Sequence, residues 1–240
     1  MATAAECLGS YLSSRGLDIC TSFSAQWYNE YIIAEGLQSK LSALETFNRG
    51  STQAWLIGNT RALWSPLIDW NEDKMQQGLN SANPIDEYCQ EMIEGAVNRS
   101  YNPDTRKSIH WTWTSDPALL VSMQRVAEVS GLCFMDKVTH LCVHPVFGTW
   151  CGFRAVVVID ADCPDDKPDR IECMLSEDER RASEELLNRA LLAGNEGYRQ
   201  SSWRAWLAMR DSIQTGKEYR YGENQLAYHY TGDRVHLQRD

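Results

Sequence analysis

Cys142 and His144 stand two residues apart in the segment Cys142-Val143-His144-Pro145-Val146-Phe147-Gly148-Thr149-Trp150. In an extended chain that spacing puts both side chains on one face. A thiol beside an imidazole can act as a thiolate–imidazole nucleophile or as half of a metal site. It can equally be a buried thiol next to a turn histidine held by Pro145, with no chemistry at all. Arg154 opens the apolar run Ala155-Val156-Val157-Val158-Ile159. A guanidinium there must be paired or face a polar cavity, because an unpaired buried charge is very costly, so an anion or ligand is expected beside it. Trp203, Trp206, Leu207 and Arg210 follow the i, i+3, i+4, i+7 spacing of one helix face. Arg210 either snorkels past the tryptophans to water or grips a carboxylate with its planar fork. Arg234, after Tyr228 and Tyr230, is a third cation of this kind or a tail charge.

Other chemistries lack their residues. No C-x-x-C occurs, so neither a zinc ribbon nor a thioredoxin-type site is supported. No G-x-G-x-x-G, phosphate-binding P-loop, H-E-x-x-H or G-x-S-x-G is present. The net charge of −10 argues against nucleic acid or an anionic membrane as the main partner, while leaving room for a local basic pocket. No 18-residue apolar run suggests a membrane span. The first residues, MATAAECLGSYLSSRG, have neither the cationic start nor the apolar core of a signal peptide. A cytoplasmic protein with its eight cysteines reduced is therefore expected.

The elements that must position these residues follow from periodicity. A length of 240 residues suits one domain with a sizeable core. Helices are predicted over 3–15 and 34–47, and a short buried strand over Ala54–Ile57. Asn59 or Thr60 caps a helix holding Leu63 and Trp64. Asn83-Pro84 starts another helix with its stripe at Ile85, Tyr88, Cys89, Met92, Ile93 and Ala96. Residues 105–113 alternate as a strand, with Ile109, Trp111 and Trp113 facing one way and Ser108, His110 and Thr112 the other. Asp116-Pro117 starts a further helix, Leu132–Met135 is a strand, and a hairpin is expected between 139–144 and 152–160. Residues 161–172 make a loop, and Ser176-x-x-Glu179 is a capping box for a helix ending near Ala193, with Gly194 after it. Helical pieces near 202–211 and 222–229 complete an α+β chain around a mixed or antiparallel sheet.

Several strings, in order along the chain, resemble the CblC family of cobalamin-processing proteins. They are Trp27-Tyr28-Asn29-Glu30; Cys142 through Trp150 with Arg154 and its valine run; Trp203-Arg204-Ala205-Trp206 with Arg210-Asp211; and Tyr221, Glu223, Gln225, Ala227 and Tyr228. The similarity spans about residues 20–234.

The resemblance implies a single domain with a fold like the flavin nitroreductases, a central sheet flanked by helices. It implies a cavity for cobalamin with the nucleotide base displaced from cobalt. Removal of the upper axial ligand would follow, alkyl groups passing to glutathione and cyanide leaving reductively. It further implies FMN or FAD with NADPH as electron source, and a CblD-like delivery partner. By position in the matching strings, cobalamin contacts are expected at Cys142 and Phe153 and glutathione contacts at Arg154, Arg210 and Arg234. The resemblance also implies a cobalamin-pocket lining at Leu119, Leu120, Val121, Ser122, Cys133, Phe134 and Met135, which fall at the family's pocket positions counted from Pro117 and Cys142. Where some relatives carry tyrosines and a helix histidine, this chain has Cys133-Phe134 and no matching histidine. The sulfur nucleophile would be glutathione's, so no catalytic side chain is required. Two other readings stay open: a binding and delivery module without turnover, and a flavin-dependent reductase of the same fold.

Overall fold

The computed structural model describes residues 4–163, 166–192 and 203–239. Helix α1 (Ala4–Ser13) leads into strand β1 (Ile19–Ser24), helix α2 (Ala25–Ala34) and strand β2 (Thr52–Asn59). Helices α3 (Trp64–Gln76) and α4 (Pro84–Ser100) precede strand β3 (Lys107–Trp111) and helix α5 (Met123–Val129). Strands β4 (Phe134–Met135), β5 (Cys142–Val143) and β6 (Gly152–Asp162) follow, then helices α6 (Glu177–Leu192), α7 (Trp203–Asp211) and α8 (Glu223–Thr231).

The main sheet has the order β1-β2-β6-β3, antiparallel throughout, and β4 pairs with β5 in a separate ribbon. Both central strands are covered on both faces, which is why they are near-continuous in apolar residues. Trp55, Ile57, Ala155, Val157 and Ile159 pack against α1, α3 and α4. Ala54, Leu56, Val156 and Val158 point the other way, toward α2 and α5. A third cluster joins Trp150 to Trp203 and Leu207 of α7 and to Tyr221, Leu226 and Tyr230 around α8.

The α+β class and much of the local reading hold. Of the strand expected over 105–113, Lys107–Trp111 forms β3; Ile109 and Trp111, with Trp113 in the turn that follows, pack on the first face as the alternation requires. The Ser176–Glu179 box closes as expected: Ser176 Oγ accepts the Glu179 amide at 3.2 Å, and the Glu179 carboxylate takes the Ser176 amide at 2.9 Å. Residues Ala193 and Gly194, at the expected end of that helix, lie outside the described residues.

Four local expectations are corrected. The hairpin between 139–144 and 152–160 does not form. Strand β6 pairs with β2 on one side and β3 on the other, so it has no free edge, and β5 pairs with β4 instead. The predicted helix over 34–47 is not helical: α2 occupies 25–34, ends at Gly36 (φ 65°), and Phe47 and Asn48 adopt left-handed backbone. Leu37, Leu41, Leu44 and Phe47 still reach the second core face, which accounts for the helix-like spacing. The helix expected from Asp116-Pro117 begins only at Met123. Pro117–Leu119 is one 3-10 turn, and Leu120–Ser122 runs extended, with the Leu120 carbonyl accepting Ser42 N–H at 2.9 Å and the Ser122 amide donating to the Tyr28 hydroxyl at 3.1 Å. Of the strand at 132–135, only Phe134–Met135 is paired.

Candidate functional site

A cavity of about 540 Å³ opens beside the second face of the sheet. The extended segment Leu120-Val121-Ser122 and the first residues of α5, Met123 and Gln124, form one wall. His140, Leu141 and Cys142 at the head of β5, and Thr149, Cys151 and Phe153 at the head of β6, also line the cavity. Leu41, Thr112 and Arg210 complete the lining. The wall mixes Leu, Val, Met and Phe surfaces with hydroxyl and amide groups. That is the character expected of a site for a large ligand with an apolar body and polar edges.

The expected cobalamin contacts divide by position. Leu120, Val121, Ser122, Cys142 and Phe153 line this one cavity. Leu119 lies beside it on the exposed 3-10 turn. Cys133 is fully buried behind the wall, Met135 is buried opposite Cys142 in the β4–β5 ribbon, and Phe134 packs toward Val143 and Leu175. Met123, Gln124, His140, Thr149 and Cys151 are not among the contacts expected from the sequence. Thr112 carried a signal, since it sits on the polar side of the β3 alternation. His140 has φ 56° and Leu41 lies in the irregular 35–51 segment, so no periodicity points to either.

Cys142 and His144 have separate partners. Cys142 Sγ lies 3.8 Å from the Gln124 carbonyl, and burial pushes its thiol well above the usual range. His144 Nδ1 accepts the amides of Val146 and Phe147 at 3.0 and 3.2 Å, and burial lowers its pKa. The histidine is thus a neutral staple for the 144–148 turn, closed by reciprocal 2.8 Å backbone bonds between His144 and Gly148. Among the described residues no cluster of His, Cys, Asp or Glu suits a metal ion.

The arginines occupy three environments. Arg210 reaches the main cavity: its Nε and Nη2 donate to the Thr149 carbonyl at 3.2 and 2.6 Å, and its guanidinium lies 4.5 Å over Trp150. Arg154 donates to Asn59 Oδ1 at 2.7 Å and lines a second cavity of about 160 Å³ with Asn83, Asp86, Tyr228 and His229. The Tyr221 and His229 rings lie 5.5 Å apart, and the charges of both arginines act on both groups. Burial drives the Tyr221 phenol up to about 12. Burial, then the charges of Arg154 and Arg210, hold His229 far below the ordinary histidine value. Arg234 lies apart, donating to the Ser81 carbonyl at 2.7 Å and toward Asn71 Oδ1 at 3.5 Å.

Two residues of Trp27-Tyr28-Asn29-Glu30 brace the chain around the site. The Tyr28 hydroxyl holds Ser122, and Asn29 brackets Leu44 by accepting its amide at 2.8 Å and donating to its carbonyl at 2.9 Å.

No protein-family model matches the chain, and no curated protein does. Among solved structures, the C. elegans B12-trafficking protein CblC, described as a homologue of human MMACHC, superposes with a TM-score of 0.69 at 18% identity, over 98% of this chain and 93% of that one. Epoxyqueuosine reductase from Bacillus subtilis aligns with a TM-score of 0.48 at 15% identity, over 89% of this chain and 65% of its own. The fold is CblC-like along essentially the whole chain.

Proposed function

We propose that this protein processes cobalamin: it holds the vitamin with its nucleotide base off the cobalt and removes the upper axial ligand. The observation that carries this reading is the convergence of Leu120, Val121, Ser122, Cys142 and Phe153 on one open cavity, with Arg210 at its wall. These residues come from distant parts of the chain, and each was expected at a corrin or glutathione from the resemblance alone. The likeness to a B12-trafficking protein supports the same cargo.

In this reading the apolar side chains of Leu120, Val121 and Phe153 lie against the macrocycle, and Ser122, Gln124 and Thr112 meet its amide rim. Arg210 and Arg154 would hold glutathione, which carries two carboxylates and suits bidentate cations. Alkyl transfer then needs only positioning. The glutathione sulfur attacks the alkyl carbon, the carbon–cobalt bond breaks with its electron pair staying on cobalt, and the thiol proton goes to water. Fixing sulfur and carbon in line makes the encounter effectively intramolecular. Cyanide would leave after reduction by NADPH through FMN or FAD, and a CblD-like protein would receive the product. We place this chemistry in the cytosol, where reduced thiols such as the eight free cysteines persist.

Titration with methylcobalamin, followed in the visible spectrum, tests the binding step. A blue shift of the main band is expected as the base leaves cobalt, and an unchanged spectrum at saturating concentrations rejects the reading. Catalytic S-methylglutathione from anaerobic methylcobalamin and glutathione is expected next. A stoichiometric complex without that product would make the protein a carrier.

A further inference from the structure

Three cysteines meet at the floor of the main cavity. Cys142 and Cys151 line it, and Cys133 lies behind them with no exposed surface. They reach this point from β5, from the head of β6 and from the end of α5, and all three belong to the second core face. The Cys133 and Cys151 thiols are within hydrogen-bonding reach of one another. A sulfur pair this close, with one member open to a cavity and the other enclosed, is the arrangement of an attacking and a resolving thiol.

The surroundings distinguish the two. Cys151 accepts from Cys133 and feels the Arg210 guanidinium, and together these outweigh burial and lower its pKa. Cys133, as the donor to Cys151 and a buried group, is held in the thiol form. Burial likewise keeps Cys142 protonated beside the Gln124 carbonyl. Burial opposes the charge on Arg210, and the groups that offset this are Tyr230, Tyr221 and Cys151. A thiolate at Cys151 therefore places a negative charge beside this cation.

We propose that Cys151 and Cys133 form a redox-active dithiol at the cavity floor, with a small disulfide as its substrate. The Cys151 thiolate attacks one sulfur of the disulfide RSSR. The S–S bond breaks, a Cys151–S–S–R bond forms, and RS⁻ leaves and is protonated by water. The Cys133 sulfur then attacks the Cys151 sulfur, its proton passing to the second departing RS⁻. The protein loses two electrons in forming Cys133–Cys151, and the small disulfide gains them to become two thiols. This activity requires no bound cobalamin, so it stands or falls separately from the reading above.

The test treats the reduced full-length chain with glutathione disulfide, without added cobalamin, and maps cysteine peptides by mass under non-reducing conditions. A Cys133–Cys151 link is expected, with two glutathione thiols released per chain. Cys133→Ser should stop at a mixed disulfide on Cys151, and Cys151→Ser should give neither product. Preferential modification of the exposed Cys7 or Cys173, or a wild-type mixed disulfide that never resolves, overturns the proposal. The pH dependence of Cys151 alkylation in the wild type needs no variant to fold. Its midpoint should lie below the free-thiol value of about 8.5, and a midpoint at or above that value overturns the proposal equally.

Discussion

The Tyr28 hydroxyl accepts the backbone amide of Ser122 at 3.1 Å, joining helix α2 to the extended wall of the main cavity across 94 positions of sequence. Tyr28 is itself fully buried. The bond satisfies a backbone donor that the late start of α5 leaves outside the helix, and it fixes the strip from Leu120 to Ser122 against the core.

Tyr28→Phe keeps the ring and removes that acceptor. A loss of about 1 kcal/mol in stability is expected, with cobalamin binding weakened several-fold because the wall is no longer held. Urea unfolding and the methylcobalamin titration measure the two effects. Unchanged values in both would mean that the bond positions nothing.

Gly148 has φ 55°, and a Cβ there would overlap the Thr215 carbonyl. Gly216, across the contact, meets the Phe147 backbone in the same way. This close approach sets the 144–148 turn against the loop after α7 and so locates Thr149 opposite Arg210. Gly148→Ala is expected to cost about 3 kcal/mol or more, since backbone on both sides must move. Thermal unfolding checks it, and a loss below about 1 kcal/mol would show the contact to be pliable.

Arg154 and Arg210 line different cavities, so their replacement should have different effects. Arg154→Ala should raise the glutathione requirement by roughly 10–100-fold, the worth of a charge-assisted hydrogen bond, while leaving the cobalamin spectrum nearly unchanged. Arg210→Ala should disturb both, because Arg210 lines the larger cavity. Saturation curves for glutathione beside the spectral titration separate these outcomes. Equal, small effects of Arg154→Ala on both would refute its role as a clamp.

His229 is half-buried, with Nε2 enclosed and unpartnered among the described residues, and desolvation and two arginines depress its pKa. The unfolded chain therefore takes up a proton that the folded chain refuses. Stability should fall as the pH drops below about 6.5, the ordinary histidine value, and continue falling down to the depressed one. His229→Gln removes this titration. Its unfolding free energy should vary less with pH across that window than the wild type's, and parallel pH profiles would contradict the assignment.

Local signals along the chain were enough for the α+β class, for β2, β3 and β6, for the start of α4 at Pro84 and for the Ser176–Glu179 box. Each depends on a period of two, a period of 3.6 or a cap, all of which are written in neighbouring residues. The ordered strings also singled out Cys142 and Phe153 as cobalamin contacts and Arg154, Arg210 and Arg234 as glutathione contacts. Only the tertiary structure decided that β5 turns away from β6, that residues 35–51 reach the core without a helix, and that Arg154 opens on a different cavity from Arg210. It alone brought Cys133, Cys142 and Cys151 to one floor. Strand pairing and cavity walls depend on which edges are already occupied and on which distant side chains fill the remaining space, and no local period carries that information.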